Sequence, residues 1–170
     1  MGGKTDKLDL GRLGLSSGEA ASLTPSVALD AIELAEQRYT APGAVVDARV
    51  DVSHTTSGYA LRLRYDVGLH GPCMRCLEDA SHSLSVDARE VDQPGGGDDL
   101  RSPYLDGDEL DVKSWARDAL VLALPVRILC TAECRGLCGI CGANLNEDPE
   151  HAHEREPDPR WAKLSELRLD

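Results

Sequence analysis

All six cysteines of this 170-residue chain fall in close pairs: Cys73-x2-Cys76 upstream, then the run Cys130-x3-Cys134-x3-Cys138-x2-Cys141. Thiolates two or three residues apart can both reach one Zn²⁺ at about 2.3 Å, and two such pairs complete a tetrahedron. The last pair lies in Cys138-Gly139-Ile140-Cys141-Gly142, where each glycine follows a cysteine and frees the backbone to aim amides at sulfur. Four protein ligands leave zinc no open position for substrate, so the expected role of such a site is structural.

Three groupings satisfy four-coordination. Cys130, Cys134, Cys138 and Cys141 can close one local site, which carries the smallest loop-closure entropy. Alternatively Cys73 and Cys76 join Cys130 and Cys134, while Cys138 and Cys141 take His151 and His153, so that no donor is stranded. In the third grouping the two x2 knuckles, Cys73/Cys76 and Cys138/Cys141, share a metal as in a zinc ribbon. The chain is expected to hold one or two structural zinc ions. His151-Ala152-His153 also reads as plain exposed sequence in an acidic loop, and His54, His70 and His82 fall on polar strand or turn positions with no role.

The elements that must position these residues are legible by period. Val46, Ala48, Val50 and Val52 alternate with polar residues from Val45 to Ser53. After turn chemistry at residues 54–58, Tyr59, Leu61, Leu63, Tyr65, Val67 and Leu69 do the same. This pair predicts an antiparallel hairpin with one wet face, and a third run, Ser83 to Arg89, follows Cys73–Cys76, which therefore sits at a turn between strands. Leu8 to Leu15 suggests a first strand, and Ala31 to Tyr39 fits neither period cleanly but leans to strand. Residues 93–99, rich in proline, glycine and aspartate, form a connection poor in apolar surface. Asp111 caps an expected helix from Val112 to Leu124, with Val112, Trp115, Ala116, Ala119, Leu120, Ala123 and Leu124 on one stripe and Pro125 as its stop. The fold class is α+β: residues 1–129 make an antiparallel β body, barrel-like if its ends meet, with one packed helix. Residues 130–170 make a cysteine-rich zinc-knuckle segment and an amphipathic tail on Trp161, Leu164 and Leu167, packed on that body as a single domain.

Bulk properties narrow the function. The longest apolar run, Ala119 to Val126, contains Pro125 and is too short for a bilayer, and the N-terminus leads into polar sequence, so the reading is a cytoplasmic protein without a membrane role. In that compartment thiols stay reduced, which favours metal over disulfides. With 18 Lys and Arg against 30 Asp and Glu, a formal net charge of −12 repels phosphate backbones, so broad nucleic-acid binding is not expected; the acidity serves solubility or, on the sharper reading, attracts a basic partner such as a ribosomal protein. Arg62, Arg64, Arg75 and Arg89 could form a local basic patch, although ordinary exposed strand charge is the commoner account of such residues. Cys73-x2-Cys76 has the spacing of a thiol-disulfide oxidoreductase but sits at a strand turn without a βαβ pattern, and no hydrolytic constellation stands out. The protein is read as non-enzymatic.

Several segments together resemble the YceD family, the large ribosomal RNA subunit accumulation proteins. They are His70-Gly71-Pro72-Cys73-Met74-Arg75-Cys76-Leu77-Glu78, the helix end Ala123-Leu124-Pro125-Val126, the array from Cys134 to Asn146, and Asp158-Pro159-Arg160-Trp161. The resemblance covers most of the chain from about Ala31. It implies a bacterial cytoplasmic protein needed for 23S rRNA accumulation, encoded beside a large-subunit ribosomal protein and without known catalytic chemistry. Some family members lack the knuckle at Cys138 and Cys141 but keep the earlier pairs, which makes the second grouping plausible; others carry Cys-x-Cys where this chain has His151-x-His153, a substitution that preserves ligand capability. The partner it suggests is a ribosomal protein or a large-subunit assembly intermediate.

Overall fold

The computed structural model describes residues 5–153. Its strands are β1 (Leu8–Asp9), β2 (Ala20–Leu23), β3 (Ser26–Ala28), β4 (Ile32–Leu34), β5 (Gln37–Tyr39), β6 (Val45–Asp47), β7 (Arg49–His54), β8 (Tyr59–Pro72), β9 (Asp79–Asp92), β10 (Leu105–Asp106) and β11 (Glu109–Leu110), followed by helix α1 (Val112–Ala123). The centre is an antiparallel sheet of order β2-β7-β8-β9, and its ends do not meet, so among the described residues no barrel closes.

The alternation of β8 is the reason for this centre. Leu61, Leu63, Tyr65, Val67 and Leu69 are buried while the intervening residues reach solvent, and Val50 and Val52 of β7 join the same inner face. The helix lies over it with Val112, Trp115, Ala116, Ala119 and Leu120 buried, and the Tyr65 hydroxyl donates to the Ala116 carbonyl at 2.6 Å. Asp111 caps the helix by accepting from the Ser114 N–H at 2.9 Å. Leu124 is already extended, so the helix stops one residue short of the expected end, consistent with the constraint that proline places on the residue before it.

Several expectations are refined. The Val45–Ser53 strand is broken at Ala48, whose N–H donates to Pro25, so that β6 pairs with β3 while β7 pairs with β2 and β8. Ala31–Tyr39 is extended as expected but folds back on itself as the hairpin β4–β5, with Ala35 and Glu36 in the left-handed region at the turn. No glycine marks that turn, which is why the sequence hides it. Leu8–Leu15 is strand only at Leu8–Asp9 and continues as a 3-10 turn through Leu13. The third strand runs from Asp79 to Asp92, well beyond Ser83–Arg89, because its register with β8 continues through polar residues to Pro72↔Asp79. Gln93 and Leu100 close the glycine-rich connection through a main-chain hydrogen bond of 2.7 Å. The tail on Trp161, Leu164 and Leu167 lies outside the described residues.

The β4–β5 hairpin seats on the far end of β8. Thr40 and His70 exchange main-chain hydrogen bonds of 2.9 Å, and the buried Tyr39 donates its hydroxyl to the Pro72 carbonyl at 2.8 Å. Its ring lies so close to Gly71 that a Cβ there would overlap it and approach the Arg38 carbonyl to 2.9 Å. Trp115→Ala is expected to destabilise the fold by about 3 to 5 kcal/mol in urea unfolding. Gly71→Ala should lower the same midpoint by lifting Tyr39 from its seat, although it adds only one methyl group.

Candidate metal centres

The loop joining β8 to β9 is Cys73–Glu78. It is closed by the Cys73 N–H donating to the Glu78 carbonyl at 2.7 Å and the Leu77 N–H donating to the Cys73 carbonyl at 3.0 Å, with Leu77 itself left-handed. After α1 the chain returns past this loop, where the Met74 N–H donates to the Ile128 carbonyl at 2.9 Å and the Ile128 N–H meets the Met74 sulfur at 3.4 Å. That return brings Cys130 and Cys134 onto Cys73 and Cys76.

The four sulfurs lie within 4.8 Å of one another, with Cys73, Cys76 and Cys134 buried. Cys73 stands 3.7 Å from Cys134 and Cys76 3.5 Å from Cys130. A tetrahedron of sulfurs about 2.3 Å from a central zinc has edges of about 3.8 Å, whereas a disulfide needs about 2.05 Å. All six cysteines are free thiols. Burial pushes the Cys73 thiol up, but main-chain N–H groups of Cys76, Arg75 and Cys130 aimed at its sulfur outweigh this and bring it down to about 6. Burial drives Cys76 to about 12, and its hydrogen-bonded sulfur neighbours add to the rise. Without a cation the four groups cannot all ionise together; a divalent ion at their centre removes that conflict.

The second cluster gathers Cys138, Cys141, His151 and His153, also within 4.8 Å, and is more exposed than the first. Cys138–Cys141 occupies the tip of a small turn held by Leu137 bridging Asn144 and by the Cys138 N–H donating to the Ala143 carbonyl at 2.8 Å. Main-chain N–H groups of Cys141 and Ile140 draw the Cys138 thiol down to about 6, the same amide-to-sulfur arrangement as at Cys73. Of the two glycines after cysteines, Gly142 is left-handed (φ 74°) and its N–H returns to the Cys138 carbonyl at 2.8 Å, while Gly139 stays outside that region. The Cys141 sulfur lies 3.2 Å from His151 Nε2 and 3.3 Å from His153 Nε2, and the two Nε2 atoms are 3.0 Å apart. Behind His151 the Asp148 carboxylate sits 3.5 Å from Nδ1, the outer-shell arrangement by which a metal-binding imidazole is oriented.

The structure therefore assembles the second of the three groupings, and the local site of Cys130, Cys134, Cys138 and Cys141 does not form. His54, His70 and His82 lie in neither cluster. Sequence reasoning missed Arg75, Asn146 and Asp148. The Arg75 guanidinium donates to the Cys134 carbonyl at 2.6 Å, its own carbonyl accepts from the Leu137 N–H at 3.2 Å, and Asn146 Nδ2 points at the Cys134 sulfur from 3.5 Å. These bonds join the two clusters. Position 75, between two cysteines on a tight loop, was the available signal.

The proposed basic patch is largely self-neutralised. Arg62 makes a two-pronged pair with Asp87, Arg64 pairs with Asp51, and Arg75 is turned to the Cys134 carbonyl. Ser22, Arg64 and Arg49 all reach Asp51 and hold its carboxyl far below the usual range. Among the described residues no helix is long and apolar enough to cross a membrane.

Among the described residues, an antiparallel body with one α-helix, whose hairpin tip is joined by one four-donor cluster to the segment after the helix and is followed by a knuckle that gathers a second, defines a small cysteine-knuckle α+β protein. The chain belongs to the YceD family: the family model described as "Large ribosomal RNA subunit accumulation protein YceD" matches residues 61–168. An uncharacterised protein of Mycobacterium tuberculosis (strain H37Rv) is 30% identical over 168 residues, covering 94% of this chain and 80% of its own length. A chloroplastic "Large ribosomal RNA subunit accumulation protein YCED homolog 1" of Arabidopsis thaliana is 33% identical over 60 residues, 35% of this chain and 19% of that protein, and its Zea mays counterpart is 40% identical over 76 residues, 45% and 22%. No solved structure matches the chain. The family name ties the group to accumulation of large-subunit ribosomal RNA.

Arg75→Ala is expected to destabilise the fold by about 1 to 3 kcal/mol in denaturant unfolding, because the partly buried Cys134 carbonyl loses a charged donor. Protease cleavage within residues 130–153 should accelerate by more than cleavage elsewhere.

Proposed function

We propose that this chain is a non-enzymatic, cytoplasmic factor that supports 23S rRNA accumulation during large-subunit assembly, kept in shape by two structural zinc ions and acting through protein contacts. The observation that carries the reading is the pair of four-donor clusters, in which the Cys73–Cys134, Cys76–Cys130, Cys141–His151 and His151–His153 separations lie within roughly half an ångström of those zinc requires. Cys73, Cys76, Cys130 and Cys134 would hold the buried ion, and Cys138, Cys141, His151 and His153 the outer one. Each set saturates tetrahedral coordination, so the chemistry the ion supplies is cross-linking rather than activation of a substrate.

The surface supports the choice of partner. A net charge of −12 favours a basic ribosomal protein or a protein-bearing assembly intermediate over naked rRNA, with attraction that weakens as salt rises. The nucleic-acid-module reading would draw on Arg62, Arg64, Arg75 and Arg89, and the first three of those cations already have partners in the chain. The thiol-exchange reading would need Cys73 and Cys76 to work as an isolated pair, whereas two further sulfurs stand against them.

Native mass spectrometry should find two zinc ions per chain. Cys134→Ser should lose one and expose residues after Leu129 to protease, because apparent binding of about 10 to 16 kcal/mol per structural zinc exceeds most domain stabilities. Cys141→Ser should also lose one, with a smaller effect on the body. An ion-free yet compact chain would overturn the zinc assignment. Low-salt pull-down should recover large-subunit ribosomal proteins that high salt releases; retention of bare rRNA alone would contradict the partner assignment.

A further inference from the structure

The central sheet ends in β9, whose fourteen residues pair with β8 in an unbroken register from Tyr59↔Asp92 to Pro72↔Asp79. Among the described residues, the main-chain groups from Ala80 to Val91 hydrogen-bond to no strand or loop other than β8, which leaves one edge of the strand open. Long open edges are normally guarded by charges, proline or a bulge; β9 has neither proline nor bulge, and its internal charges, Asp87, Arg89 and Glu90, all lie on the C-terminal side of Val86. Beside this edge lies a cavity of about 320 Å³ between β9 and α1, lined by Val86, Ala88, Tyr104, Trp115, Ala119 and Leu122 among others. Leu122, on its rim, is 86% exposed.

We propose that β9 is a self-complementary edge at which a second copy of this chain pairs antiparallel, about a two-fold axis through Val86. The inner face of the strand carries Ala80, His82, Leu84, Val86, Ala88 and Glu90, and the outer face Ser81, Ser83, Ser85, Asp87 and Arg89. With the axis at Val86, Val86 meets its own copy, Leu84 meets Ala88, and His82 meets Glu90 on the inner side. On the outer side Ser85 meets Asp87 and Ser83 meets Arg89. Apolar residues face apolar ones, no like charges stand opposite each other, and each off-axis pair occurs twice by symmetry. Moving the axis to Ala88 sets Val86 against Glu90 and Leu84 against Asp92, and moving it to Leu84 sets Val86 against His82. A slip by one residue turns the apolar face to solvent. The pairing joins the four strands of each copy into one sheet with both α1 grooves on the same side.

Sedimentation equilibrium of the full zinc-loaded chain tests this. The expected result is a reversible dimer. Ser83→Arg, at an exposed position, sets a cation opposite Arg89 of the second copy at two symmetric places and should raise the dissociation constant roughly tenfold. Adding Arg89→Glu in the same chain should restore it, while circular dichroism of the dilute chain stays unchanged throughout. A chain that is monomeric at every concentration overturns the proposal, as does a dimer indifferent to Ser83→Arg or not restored by Arg89→Glu.

Discussion

The closure of Cys73 and Cys76 against Cys130 and Cys134 is the constraint on which the rest of this structure depends. It joins points about 60 residues apart in sequence, the tip of the longest hairpin and the segment that follows the only α-helix among the described residues. The tip has few other anchors: main-chain bonds at Met74 and Leu137, the Arg75 guanidinium, and the seat of Tyr39 at Gly71. Because Ile128 and Cys134 belong to the same buried cluster as Leu69 and Trp115, the sulfur centre extends the hydrophobic core rather than sitting beside it. The position of the outer knuckle follows from the same closure, since Leu137 hangs on Arg75.

Charge in this protein is organised on two scales. Locally, the wet face of the sheet pairs its cations with its acids, and Asp51 gathers Ser22, Arg49 and Arg64 around one carboxylate. Such exposed pairs add little stability; which side of the sheet meets water is set by the apolar alternation of β7 and β8. Globally the excess of acids remains, so the long-range field is negative while the sheet face itself is close to neutral. A surface of that kind attracts a basic partner from a distance and leaves contact geometry to decide where it stops.

Much of this was legible in the residues. The strict alternation of Val50–Val52 and Leu61–Leu69 and the three-and-four spacing of Val112–Leu120 translate directly into the sheet and the helix, because each period has one geometric reading. The family likeness was equally readable in the motifs around Cys73, Cys134 and Cys138. What the sequence left open was how the sulfurs divide. Local spacing favours closure among Cys130 to Cys141, and only the antiparallel return of the chain past Met74 makes the distant pair the nearer one in space. The β4–β5 turn and the ends of β9 were hidden for a related reason: Ala35, Glu36, Ser81 and His82 carry no local signal, and their conformation is imposed by the partner strand.

The order of the chain also sets a timetable. A nascent polypeptide presents the hairpin tip first, and the cysteines that complete its centre emerge some 60 residues later, roughly 3 to 12 s at ordinary translation speeds. For that interval Cys73 and Cys76 are a bare dithiol on a strand pair already able to form. An oxidant that joined those two sulfurs in the interval would remove half of the cluster's donors before the other half had been made.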